Sequence, residues 1–142
     1  MSNPDLEKNA HQTASGITLL PIIEDVSVDN KNCFGSFYIQ TQGLLTSTHT
    51  ESEWTIFIDG LCYEDKLNGI SDAEHILRVF LKQKQILDIH KLDGSYNVII
   101  IANDGSKGYL LSDPLCSRPQ YIYKSNARIA SAPSPLTFAK TG

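Results

Sequence analysis

Apolar residues along this chain fall into short runs separated by turn-forming residues, the pattern of strands. Ile17 to Ile23 (ITLLPII) reads as a first strand, and Pro21, which lacks a ladder donor, pushes it toward a sheet edge or a bulge. Cys33 to Gln40 (CFGSFYIQ) reads as a second, aromatic-rich strand. Trp54 to Ile58 (WTIFI) reads as a third, ended by an Asp59-Gly60 turn, with Leu61-Cys62-Tyr63 continuing beyond it. Tyr96 to Ala102, an Asn103-Asp104-Gly105 turn and Gly108 to Ser112 (GYLLS) read as a hairpin. Tyr121-Ile122-Tyr123 and Ala127 to Ala130 bracket Lys124-Ser125-Asn126 as another.

The period changes between these groups. Ala73, Ile76, Leu77 and Phe80 recur at spacings of three and four, with His75, Arg78 and Lys82 mostly on the opposite face, so a helix starts at Ser71. Ser71-Asp72-Ala73-Glu74 has the form of a capping box, in which Ser71 accepts from the Glu74 amide and the glutamate reaches back to the Ser71 amide. The tract KQKQ at 82–85 is too polar to extend the stripe, and Ile86 to Lys91 forms a second short helical turn leading to Leu92-Asp93-Gly94. Strands, then helix, then hairpins with connections too short for parallel crossovers give an α+β fold of antiparallel sheet with helix on one face.

Composition narrows the class. The chain has 142 residues, enough for one domain with a single core, and 41% are hydrophobic and 20% charged, a globular balance. A net charge of −4 provides no basic stripe for phosphate backbones, which argues against nucleic acid. No apolar run approaches the roughly 20 residues of a membrane span, and residues 1–15 lack the basic start and apolar centre of a signal peptide. Those residues, polar and without periodicity, read as a flexible leader, leaving 16–142 as the folded domain of a cytoplasmic protein. Cys33, Cys62 and Cys116 form an odd set with no C-x-x-C pair and read as reduced thiols. His11, His49, His75 and His90 lack metal-ligand spacing and read as surface histidines, and 103–108 has turn chemistry without the order of a phosphate loop. No metal or cofactor is implied.

Four blocks, in order and with fitting gaps, carry a family likeness. Ile58-Asp59-Gly60-Leu61-Cys62-Tyr63 is similar to a strand ending in Asn-Gly-Glu-Ile-Tyr-Asn, and Ser71-Asp72-Ala73-Glu74 to a Ser-Asp-x-Glu helix start. Leu92-Asp93-Gly94-Ser95-Tyr96 is similar to Leu-Asp-Gly-x-Phe, and the segment from Ser112-Asp113 to Pro119-Gln120-Tyr121 to Asp-x-x-Gly-x-x-Pro-Leu-Tyr. From Asp59 to about Ala139 the chain thus resembles the N-terminal glutaminase-type domain of asparagine synthetase and β-lactam synthetase, a class II amidotransferase domain of the Ntn-hydrolase fold. The resemblance implies a reduced αββα-type sandwich of antiparallel sheets and helices. It also implies that Asp93-Gly94 is a tight structural turn into a buried strand, and that Asp113 and Pro119 belong to a structural motif.

The resemblance further implies where chemistry should sit. Active members attack the glutamine carboxamide with an N-terminal cysteine whose own α-amine is the base. Ser2 stands at that position here. Ser15-Gly16-Ile17 mimics the family's Cys-Gly-Ile opening, and Cys33-Phe34-Gly35 would become terminal if residues 1–32 were removed; Ser15 and Cys33 are therefore the weak nucleophile candidates. Asp59 replaces the family's oxyanion-binding asparagine with a carboxylate that would repel developing negative charge, and Leu61 replaces the glutamate that holds the substrate amine. No Arg-Gly-Pro-Asp sequence is present. Only Gly60 and Asp72 match binding positions, and Asp72 is also explained as an acid complementing a helix dipole. Arg118 reads as closing a loop. These substitutions imply a catalytically inactive glutaminase-like domain that supports an ATP-dependent amide-forming synthetase, a peptide cyclase included, supplied by a partner or by a region outside these 142 residues. A precursor peptide is a further implied partner. Two alternatives stand beside it: a leader-processed glutamine amidotransferase using Cys33 or Ser15, and a stand-alone interaction module that keeps only the fold.

Overall fold

A computed structural model describes residues 16–22, 32–83, 86–125 and 128–136, without the side chains of Gln83, Leu87 and His90. The expected leader, the candidate Ser15, Ile23, Asn126 and Ala127 lie outside the described residues. Among the described residues nine strands and two helices follow in order: β1 (Gly16–Pro21), β2 (Cys33–Phe34), β3 (Phe37–Gln42), β4 (Thr46–Glu51), β5 (Trp54–Cys62), α1 (Asp72–Gln83), α2 (Ile86–His90), β6 (Gly94–Ala102), β7 (Gly108–Ser112), β8 (Tyr121–Ser125) and β9 (Arg128–Ala132). They form two antiparallel sheets, one of order β2-β3-β1-β9-β8 and one of order β4-β5-β6-β7. The fold is α+β.

Side-chain alternation on β5 and β6 builds both cores. Ile56, Ile58, Tyr96, Val98 and Ile100 point to one face of the four-stranded sheet and bury the α1 stripe of Ala73, Ile76, Leu77 and Phe80, together with Ile89 of α2. Phe57, Ile99 and Ile101 point to the other face and meet Ile17, Phe34 and Ile39 of the five-stranded sheet. The described layers are therefore helix, sheet, sheet, and both helices lie on the four-stranded sheet. Among the described residues no helix is long and apolar enough to cross a membrane.

Several sequence expectations are corrected. Asp59-Gly60 is not a turn: β5 runs unbroken to Cys62, pairing every residue with β6. Gly60 (φ +124°) permits this because a Cβ there would stand 2.0 Å from the Ser95 carbonyl oxygen, so the bare backbone lets the two strands cross closely. The run Cys33 to Gln40 is not one strand but a tight hairpin, folded at Gly35 (φ +55°) so that Cys33 pairs with Tyr38. β1 is an interior strand between β3 and β9, and Pro21 is tolerated as its last residue. β4 (TSTHTE) is a strand with no apolar residue to announce it, held at the sheet edge by β5. Ser71 does cap α1, accepting from the Glu74 amide at 3.1 Å, but the Glu74 carboxylate turns to Arg78 at 2.7 Å instead of completing the box. The hairpin β6–β7 forms around Asn103-Asp104-Gly105 as expected, and β8 pairs with β9, but Lys124 and Ser125, expected in the turn, are strand residues paired with Ile129 and Arg128.

Candidate functional site

The parity that sends Phe57 and Ile99 between the sheets also sends Asp59 and Asn97 there, directly opposite each other on β5 and β6. These two polar side chains end the apolar inter-sheet layer, and both are buried, at 4% and 1% exposure. Burial of a carboxylate requires a partner. Arg118, from the segment before β8, supplies it: its Nη1 lies 3.4 Å from both Asp59 oxygens, and its Nε donates to the Ser95 carbonyl at 3.3 Å.

The network continues across the layer. Asn97 accepts from Ser112 Oγ at 2.8 Å and donates through Nδ2 to the Arg118 carbonyl at 3.2 Å. Gln120 donates to the Ile17 carbonyl at 3.0 Å and to Ser131 Oγ at 2.8 Å, tying the five-stranded sheet to the segment that carries Arg118. Among the described residues no buried side-chain nitrogen or oxygen lacks a hydrogen-bond partner. Arg118, Asn97 and Gln120 carry this centre, and linear spacing offered only the loop position of Arg118 as a sign of it.

Gly60 and Gly16 complete the walls. A Cβ on Gly60 would stand 2.9 Å from Arg118 Nε, so the guanidinium fills the space beside this glycine. The Gly60 amide donates to the Leu45 carbonyl at 3.0 Å and is engaged within the fold. Leu61 points away and is 44% exposed. Gly16, the first residue of β1, abuts the same place: a Cβ there would be 3.6 Å from Asp59 Oδ2.

The other named residues take structural positions. Asp72 accepts from the Cys62 amide at 3.1 Å and pairs with Lys66 at 2.6 Å, locking the start of α1 to the end of β5, a tie more specific than a helix-dipole effect. Asp72 also holds the Lys66 amine above its ordinary pKa. Asp93 is exposed, and its amide donates to Glu64 Oε1 at 2.8 Å. Gly94 begins β6, paired with Cys62, rather than forming a turn, and it passes so close to β5 that a Cβ would stand 2.4 Å from the Leu61 carbonyl.

Asp113 organises the loop it begins. Fully buried, it accepts from the amides of Tyr96, Leu115 and Ser117 at 2.9–3.2 Å and from Ser117 Oγ at 2.6 Å. Burial pushes its pKa up, but the hydrogen bonds from Ser117, Tyr96 and Leu115 outweigh it and hold the carboxyl below its ordinary value. Pro119 lies exposed between Arg118 and Gln120. Cys33 sits on β2 beside Tyr38, which pairs with Leu20, four residues along β1 from Gly16. At about 3.3 Å per residue this puts Cys33 roughly 13 Å along the sheet from the Asp59 centre, as well as two strands away from β1. Nothing brings Cys33 to Gly60 or Asp72.

Two other features lie outside this centre. Ser52, Trp54, Asn103, Asp104 and Lys107 line an open cleft of about 370 Å³ at the opposite end of β5. On the helix-bearing face, His49 and Glu51 of β4 meet Glu74 of α1, their ligand atoms within 4.8 Å of one another. Spacing between histidines could not reveal that group, because its other members are carboxylates; the alternation His49-x-Glu51 on a strand was its only local signal. At the Asp59 centre a carboxylate paired with a guanidinium closes the end of the inter-sheet layer. No protein-family model matches this chain, and no curated protein matches its sequence.

Proposed function

We propose that this chain is a glutaminase-like domain of the Ntn-hydrolase type whose catalytic centre has been replaced by a closed ion pair, and that it acts as a non-catalytic support for an ATP-dependent amide-forming synthetase. The observation that carries this reading is Arg118 filling the space beside Gly60 and neutralising Asp59. A glutamine carboxamide attacked at that position would need hydrogen-bond donors aimed at its developing oxyanion. Asp59 offers an acceptor and Leu61 offers nothing. The two stacked antiparallel sheets with helices outside the second are compatible with such an ancestry. Edge strand β8, with Tyr121 and Ile122 exposed, is the kind of surface that a larger assembly covers.

The test has two arms. Purified chain is incubated with glutamine and assayed for ammonia, and it is then mixed with adenylating carboxylate-amine synthetases encoded beside it, with pyrophosphate release followed. The reading expects no ammonia and a stimulated release of pyrophosphate. Ammonia production, or indifference of every such synthetase, overturns it.

One observation favours a second reading. Gly16, the residue after Ser15, abuts Asp59 at the head of β1, and a cleavage before Ser15 would put a free amine and a hydroxyl on one residue, the combination such hydrolases use. Intact-mass measurement separates the two: a chain starting at Ser15 that releases ammonia from glutamine supports the hydrolase.

A further inference from the structure

His49 and Glu51 are two residues apart on β4 and therefore share a face, the one that carries α1. The first turn of α1 brings Glu74 to them across the sheet edge. His49 Nε2 and Glu51 Oε2 are 3.3 Å apart. They are joined there by a hydrogen bond, and the same distance falls in the range of about 3.3–3.6 Å between neighbouring ligand atoms of a tetrahedral zinc site with bonds of about 2.0–2.2 Å. All three ligand atoms fall within 4.8 Å of one another, and the three side chains are half-buried on regular elements.

The charges at this point also favour a divalent cation. Two carboxylates converge, and Arg78 answers both, with Nε 3.2 Å from Glu51 and Nη2 2.7 Å from Glu74. One guanidinium answers two carboxylates, so the group can take a further positive charge. The Arg78 side chain is about half exposed on a long flexible stem, so it can leave the carboxylates for water without disturbing the backbone that presents them. We propose that His49, Glu51 and Glu74 form a binding site for a divalent transition ion of the zinc type, in exchange with the Arg78 guanidinium. An imidazole with two carboxylates suits zinc, cobalt or nickel better than magnesium or calcium, which prefer all-oxygen shells. Bound there, the ion cross-links the edge strand β4 to α1.

The experiment uses the full chain stripped with a chelator. Zinc is titrated by calorimetry, thermal unfolding is followed with and without the ion, and cobalt is used as a spectroscopic probe. One ion binds per chain, zinc raises the unfolding temperature, and magnesium at equal concentration does not. His49→Ala and Glu74→Gln each weaken zinc binding by about tenfold or more, the scale of losing one ligand. Arg78→Ala strengthens it, because the competing cation is gone. Zinc affinity unchanged in the His49→Ala/Glu74→Gln double variant overturns the proposal, as does a thiolate-to-cobalt charge-transfer band, which would assign the ion to cysteines. If the ligand variants fail to fold by circular dichroism, Arg78→Ala decides: unchanged or weaker zinc affinity in that variant refutes the site.

Discussion

Arg118 Nη1 stands 3.4 Å from each oxygen of Asp59, a contact that joins residues 59 positions apart and closes the end of the inter-sheet layer. Removing the cation leaves a carboxylate of 4% exposure without its counter-charge. Arg118→Ala is expected to destabilise the fold by about 2–4 kcal/mol, below the full cost of orphaning a buried charge because the guanidinium is partly solvated. Asp59→Asn in the same chain should recover part of that loss. Urea unfolding of the two single variants and the double variant measures the coupling; additive losses would show that the pair does not act as a unit.

Asp113 makes a pH-dependent contribution whose sign is fixed by its depressed pKa. Between the folded value and the ordinary carboxylate value near 4, the unfolded chain binds more protons than the folded one, so stability rises with pH. The contribution is complete above about pH 4 and is lost as acid protonates the folded carboxyl. Asp113→Asn should therefore unfold more easily at neutral pH, by about 2–3 kcal/mol, and show a weaker acid dependence than the parent. Urea midpoints collected from neutral to acid pH for both proteins test this; parallel curves would mean that Asp113 is not the group responsible.

Gly60 and Gly69 separate two reasons for glycine. Both have positive φ, +124° and +83°, but a Cβ on Gly69 meets nothing within 4 Å, whereas on Gly60 it would collide with Ser95 O at 2.0 Å and Tyr96 Cα at 2.8 Å. Gly69→Ala should cost only the left-handed backbone penalty, about 1–2 kcal/mol. Gly60→Ala should prevent β5 from pairing with β6 and yield little folded protein. Circular dichroism and soluble yield of the two variants check the contrast, and equal behaviour would contradict the close crossing.

The strands that carry the core were readable because their composition is decisive: β6 places four consecutive β-branched residues, Val98 to Ile101, between two apolar layers. The α1 stripe was readable for the same reason. β4 was not, since TSTHTE is held by pairing to β5 rather than by its own apolar face. The Asp59-Gly60 pair misled because the dipeptide is a turn signal in isolation, and only the crossing of β6 explains its extended form. The partners of Asp72, Asp93 and Gly94, which are Cys62, Glu64 and Leu61, come from another strand or loop and are not marked in linear order. The Arg118 contact and the His49 cluster depend on tertiary proximity and leave almost no trace in linear order.

Tyr96 links the helices to the sheet through one hydroxyl. Fully buried, it donates toward the carbonyls of Ile89 and Leu92, both at 2.8 Å, and so receives the end of α2 on β6. Burial pushes its phenol pKa up, and the nearby Cys62, Asp113 and Glu64 push the same way. The folded chain therefore holds that proton at pH values where the unfolded chain has released it. Stability from this source is complete below the ordinary tyrosine value of about 10 and declines as pH rises past it. Tyr96→Phe removes the hydroxyl and its donor to the Ile89 and Leu92 carbonyls, the first of which still accepts from the Leu92 amide at 3.0 Å, so a loss of about 1–2 kcal/mol is expected at neutral pH. Its stability should fall less steeply than the parent's in alkali, and the two curves should converge as the hydroxyl ceases to help the parent. Denaturant midpoints on both sides of pH 10 provide the measurement, and a gap that stays constant across that range would assign the alkaline loss to the other tyrosines.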